Sequence, residues 1–143
     1  MLNIDVVRAA SDAYLAHDRD ATERLLAEDF VFTSPQDDHI GKAAFLERCF
    51  PTADRLNSQV ILELVNVGGE NVFILYEYEL TNGERFRNTE FITVRDGQLV
   101  ETQVFFGGQV PKGADDAGTK RNGRDTATSR TGLAPEFLDA APS

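Results

Sequence analysis

Three short stretches in the second half of this chain constrain it more than any other feature. They are Gly68-Gly69-Glu70-Asn71, Thr81-Asn82-Gly83-Glu84 and Arg95-Asp96-Gly97-Gln98. Asn-Gly and Asp-Gly pairs supply the positive φ that tight hairpin turns need. The segments on either side, residues 60–67, 72–80, 85–94 and 99–106, are rich in β-branched and aromatic side chains, which suit a pleated, half-buried surface. Four such segments joined by three tight turns predict an antiparallel meander.

The first half carries the other periodicity. Ile4, Val7, Ser11 and Tyr14 recur at helical spacing, and Val6, Ala10 and Ala13 widen the stripe. A second helix is expected over 21–28, with Leu25 and Leu26 turned inward. A short strand over 30–34 is stopped by Pro35, and a third helix over 41–50 is closed by Pro51. A helical face and a sheet face must each bury against something, and here they have each other. The expected class is α+β: a curved antiparallel sheet wrapped over three N-terminal helices.

The 143 residues suit one domain, expected over 1–110, and ten Phe within a 41% hydrophobic composition supply a core without disulfides. Residues 111–143 are poor in apolar side chains until Leu133, Phe137 and Leu138, so burial would not offset their ordering entropy. They read as a flexible tail whose end, LAPEFLD, could dock as an apolar clip. A formal net charge of -10 disfavours nucleic acid and anionic membranes as partners. Cys49 is the only cysteine, which fits a reducing compartment. With no signal-like N-terminus and no run of about 20 apolar residues, the expected location is cytoplasmic. No phosphate-binding loop, dinucleotide fingerprint or metal-ligand spacing is present, so no cofactor is expected.

The order of elements, with particular residues at the joins, resembles the nuclear transport factor 2-like superfamily, which includes SnoaL-like polyketide cyclases and ketosteroid isomerases. The likeness is carried by His17-Asp18-Arg19-Asp20-Ala21-Thr22-Glu23-Arg24-Leu25-Leu26-Ala27-Glu28-Asp29-Phe30, by Ser34-Pro35 followed by Gly41-Lys42, and by Asp96-Gly97-Gln98-Leu99-Val100-Glu101. It implies a cystatin-like cone around an apolar pocket for a small organic molecule. The scaffold hosts isomerases, cyclases, ligand binders and dimerisation modules alike, so a non-catalytic binding module stands beside a cofactor-independent isomerase or cyclase. The resemblance puts the isomerase tyrosine position on Ala10 and the isomerase base position on Ser34. Only the strand carboxyl is matched, by Glu90.

Glu90 shares a strand face with Phe86, Asn88 and Ile92. On an apolar concave face its pKa would rise by desolvation, fitting it for proton transfer. The competing expectation is that Arg85 or Arg87, or the pocket mouth, keeps it solvated. Tyr14 is one helical turn beyond Ala10 and could replace the missing hydroxyl donor, or be core. Asp38 and His39 could form a displaced base in the loop after the first strand, while Asp37 reads as a solvated turn residue. The candidate catalytic residues are thus Glu90, Tyr14, Asp38 and His39, and the pocket is expected to be lined by Asn88, Thr102, Val104, Phe106 and Ser34. Cys49 reads as a small core residue, and His17 as a cation complementing a helix end. The parity that the superfamily turns inward leaves Phe91, Gln103 and Phe105 on the outer sheet face, expected to centre a homodimer. The expected partner of the pocket is a small, largely apolar molecule.

Overall fold

The structure is a computed structural model in which residues 1–111 are described; the tail expected over 111–143 lies almost wholly outside them. Helix α1 spans Asn3–Leu15 and buries Val6, Val7 and Ala13. It ends where His17 takes a left-handed φ of 60°. The Asp18 carboxylate then caps α2, Arg19–Leu25, by accepting from the Ala21 N–H at 3.0 Å. The chain passes directly into β1, Leu26–Thr33, without the break expected between the second helix and the first strand. A two-residue strand β2, Ile40–Gly41, leads into α3, Lys42–Arg48. Pro51 then opens a short 3-10 helix, Phe50–Arg55, instead of ending helical structure.

Strands β3 (Leu56–Asn66), β4 (Asn71–Leu80), β5 (Arg85–Arg95) and β6 (Gln98–Gln109) form the expected meander. The sheet has six strands in the order β2-β1-β6-β5-β4-β3 and is open. It is mixed rather than wholly antiparallel, because β1 pairs with β6 in parallel. The helical segment ahead of β1 and the whole meander after it let these two strands run the same way without a tight turn between them.

The turns behave as their residues require. Asp96 and Gly97 both have positive φ, 53° and 77°, and close β5 onto β6 as a two-residue loop with Arg95 opposite Gln98. The Leu80 N–H donates to the Glu84 carbonyl at 2.8 Å across a three-residue loop, with Gly83 at φ 94°. These pairings bring alternate side chains of three strands into rows. Ile74, Glu90 and Val104 lie side by side on the concave face, as do Tyr76, Asn88 and Phe106. The core lies between that face and the helices, built on Phe30, Phe86, Val6, Val72 and Val94. Phe45 from α3 completes it against Phe30 and Phe32, with ring centroids 5.3 and 4.9 Å away.

Candidate functional site

A cavity of about 220 Å³ opens between the concave face and the helices. Its walls are mainly apolar: Val7 and Ala10 from α1, Leu26, Phe30 and Phe32 from the α2–β1 segment, and Ile74, Ile92, Val104 and Phe106 from the sheet. Tyr14, Ser34, Asn88, Glu90 and Thr102 line the same space.

Glu90 projects from the middle of β5 between Ile74 and Val104. Burial pushes its carboxyl up to about 6, against the opposing effect of a hydrogen bond from Tyr76. That bond is short, 2.6 Å from the Tyr76 hydroxyl to Glu90 Oε2. Behind it stands a directional chain. The Gly107 N–H donates to Asn88 Oδ1 at 3.2 Å, which turns the Asn88 amide nitrogen toward the Tyr76 oxygen at 3.3 Å. Tyr76 thus accepts from Asn88 and donates to Glu90. Asn88 does not act on the carboxylate directly; it orients the tyrosine that does. Burial, then the neighbouring Glu90 charge, holds the Tyr76 hydroxyl well above its ordinary range, so it remains a donor.

The arginines that could have kept Glu90 solvated face the other way. Arg85 and Arg87 both reach Glu77 on the outer sheet surface, at 3.2 and 3.1 Å.

Tyr14 is placed in the cavity but its proton is committed. The Thr52 hydroxyl donates to the Cys49 carbonyl at 2.7 Å. A hydroxyl has one proton, so in the Tyr14–Thr52 hydrogen bond the tyrosine is the donor. Its pKa is pushed up to about 12, by burial first. Tyr14 therefore presents an oxygen lone pair to the cavity rather than a hydrogen-bond donor, which removes it as a substitute for the isomerase hydroxyl.

The loop after β1 corrects a second expectation. Asp38 and His39 bond each other at 2.8 Å, but their side chains are 84% and 67% exposed and do not line the cavity. Asp37, expected to be solvated, is the residue turned inward. Ser34 Oγ accepts from the N–H groups of Gln36 and Asp37 at 3.1 and 3.3 Å, tightening the turn. The Asp37 side chain is then only 6% exposed and meets Arg48 Nη2 at 2.8 Å. This pair lines the cavity with Cys49. The Cys49 thiol is pushed up to about 12, by burial and then by the Asp37 charge, which leaves it protonated and a poor nucleophile.

Tyr76, Asp37, Thr52 and Gly107 are the site residues that sequence reasoning missed. Tyr76 was within reach: it alternates with Ile74 and Tyr78 on one face, and the 81–84 turn sets it opposite Asn88. Among the described residues no group of three or more His, Cys, Asp or Glu side chains could hold a metal ion. No helix among them is long and apolar enough to cross a membrane.

An open sheet folded over helices around an apolar cavity is the architecture of the nuclear transport factor 2-like proteins. The chain belongs to the SnoaL-like domain family, whose model matches residues 7–102. Among solved structures it is similar to an NTF2-like protein of unknown function from Cytophaga hutchinsonii, with 18% identity over 74% of this chain and 90% of that one, at a TM-score of 0.63. A candidate ketosteroid isomerase from Kribbella flavida shares 21% identity over 79% and 84% of the two chains, with a TM-score of 0.62. A candidate polyketide cyclase from Sinorhizobium meliloti shares 23% identity over 70% and 93%, with a TM-score of 0.61. Likeness at this level is likeness of fold. No curated protein matches the chain.

Proposed function

We propose that the cavity takes a small, largely apolar carbonyl compound and that Glu90 moves a proton on it, as isomerases and cyclases do. The observation that carries this reading is a carboxyl on the apolar sheet wall of the cavity, held up to about 6 by burial, with one oxygen fixed by Tyr76. A group titrating near neutrality can both take and return a proton. The cavity volume lies below the roughly 300–1,000 Å³ of drug-sized sites, which suits a ligand of one or two rings. The names of the two candidate enzymes of like fold agree with the reading, and the coarse class needs no cofactor. The test uses 2-tetralone in deuterium oxide, following incorporation next to the carbonyl by mass spectrometry. Exchange above the buffer rate is expected for the wild-type protein and not for Glu90→Gln; equal rates for the two proteins would refute the role of Glu90.

A second reading concerns assembly, and a specific surface favours it. On the outer face Val65, Phe73, Phe91 and Gln103 form one row, and Glu63, Leu75, Thr89 and Phe105 the next. Phe105 is 52% exposed and Phe73 40%. Exposed aromatics at the centre of a sheet are costly in water, and an isologous pairing of two such faces covers them. We infer a homodimer there. Sedimentation at micromolar concentration should give twice the monomer mass, and Phe105→Glu should return it to one; a wild-type monomer would remove the proposal.

A further inference from the structure

Thr102 is a polar residue in an apolar row. On β6 it stands between Phe32 of β1 and Ile92 of β5, lines the cavity and is only 5% exposed. Its hydroxyl has no hydrogen-bond partner among the described residues. Two other threonines of the sheet commit theirs locally, Thr89 to the Ile74 carbonyl at 2.9 Å and Thr93 to Asn71 Oδ1 at 3.0 Å. A buried hydroxyl without a partner is a cost to folding that valine would avoid, so its presence on a cavity wall asks for a ligand. Thr22 also borders the cavity, but its hydroxyl oxygen is sealed from solvent. The Thr102 oxygen is not, and the cavity is the space it faces.

Register places this hydroxyl beside Glu90. Glu90 pairs with Val104 and Ile92 with Thr102, so Glu90 and Thr102 are diagonal neighbours on one face, with backbones roughly 7–8 Å apart. Tyr76, which holds Glu90 Oε2 at 2.6 Å, stands on the opposite diagonal, on β4 level with Asn88. The Asn88 amide is turned to the tyrosines, Tyr76 and Tyr78. A ligand that reaches Glu90 from the cavity therefore has the Thr102 hydroxyl on the side away from Tyr76.

We propose that Thr102 donates a hydrogen bond to the carbonyl oxygen of the ligand while Glu90 works on the neighbouring carbon. This rests on the reading of the cavity as a site of proton transfer on a carbonyl compound, and it names the group that stabilises the intermediate. The Glu90 carboxylate takes a proton from the carbon beside the carbonyl. That C–H bond breaks, its electron pair forms the C=C bond of an enolate, and the carbonyl pair moves onto oxygen. Thr102 keeps its own proton; its hydrogen bond strengthens as the oxygen gains charge. Return of a proton from Glu90 to carbon restores the carbonyl. The reacting carbon and the oxygen are both bonded to the carbonyl carbon, so one small ligand can touch both residues across the diagonal.

The test uses Thr102→Val, which keeps the shape and removes the hydroxyl, and Thr102→Ser, which restores it. Deuterium incorporation into 2-tetralone, followed against its concentration, should fall about a hundredfold in kcat for Thr102→Val, the usual loss for one such donor. KM should change little, because the donor acts mainly on the charged intermediate. Thr102→Ser should recover most of the rate. Thr102→Val should melt no lower than the wild type, since it breaks no internal hydrogen bond, which separates the rate loss from any loss of structure. Isotope-edited infrared spectroscopy of bound 2-tetralone reads the contact itself: the carbonyl stretch should lie lower in the wild type and Thr102→Ser than in Thr102→Val. Exchange that needs Glu90 but is equal in wild type and Thr102→Val would overturn the role of Thr102 and leave that of Glu90 standing, as would a carbonyl stretch unmoved by the substitution. A Thr102→Val protein that is destabilised and whose loss serine does not repair would overturn it as well, by making the threonine structural. Absence of exchange in the wild type would sink this inference together with the proposed proton transfer.

Discussion

Glu90→Gln is expected to lose about a hundredfold to ten-thousandfold in proton transfer, the usual worth of a positioned acid or base, and yet to melt higher than the wild type at pH 8. The sign follows from linkage. The folded carboxyl binds its proton with a pKa of about 6 against an ordinary 4.5. Below pH 4.5 both folded and unfolded chains hold the proton, and the group is neutral toward folding. Between the two values the unfolded chain loses its proton first, so stability falls as pH rises, and it levels off above about 6. The full cost is at most about 2 kcal/mol, on the order of 10 °C in Tm for a domain of this size. Gln fills the same volume, accepts from Tyr76, and does not ionise. Its advantage should appear at pH 8 and vanish near pH 4.5. Thermal melts of both proteins across that range decide it; a variant less stable than wild type at pH 8 would mean a charged and paired carboxylate.

Gly107→Ala is expected to be the most damaging single-methyl change in the sheet. A Cβ at this position would stand 2.1 Å from the Arg87 carbonyl oxygen. That atom is backbone, so relief requires the β5–β6 pairing itself to shift. Asn88 pairs with Phe106 while Phe86 pairs with Gln109, so Gly107 and Gly108 together oppose Arg87 in a β-bulge. Overpacking of this kind costs about 1–3 kcal/mol and occasionally more. A second effect separates this site from ordinary strain. The Gly107 N–H holds the Asn88 amide, which orients Tyr76 toward Glu90. Carboxyl-13C titration should therefore show the Glu90 pKa moving upward in Gly107→Ala, while Gly41→Ala, where a Cβ would meet nothing within 4 Å, should leave both stability and titration unchanged.

The bulges also mark where sequence reasoning reaches its limit. The hairpins were legible because Asp96-Gly97 and Asn82-Gly83 state their turn chemistry locally. Extending the pairing outward from the two-residue Asp96-Gly97 loop, however, would set Glu90 opposite Gln103 and put Gln103 on the concave face. A register shift between the Val94–Leu99 and Thr93–Glu101 pairs moves β6 by one residue, and Val104 takes that place. A slip of one residue exchanges every side chain between faces, and nothing in Leu99-Val100-Glu101 announces it. The inward parity of Thr102, Val104 and Phe106 came from the resemblance to the superfamily instead. Asp37 escaped for a comparable reason. Three successive polar residues, Asp37, Asp38 and His39, look alike in sequence; the Ser34 turn and the reach of Arg48 select which one is buried. The parallel pairing of β1 with β6 joins segments far apart in the chain, and no local signal encodes it.

The sheet's openness leaves β3 as a border strand of eleven residues among the described part of the chain. Such a border is a template on which another chain can add a strand, the first step of fibril growth. Val60, Leu62 and Val65 all expose apolar surface along it. The interruption between Ile61 and Glu63, where Leu62 stands without a partner in β4, breaks the strand into two short runs and seats a carboxylate at the junction. An incoming strand could follow either run but not both in one register. A kink of this kind disfavours polymerisation, and deleting Leu62 would leave an uninterrupted border from Ser58 to Asn66 for self-templating.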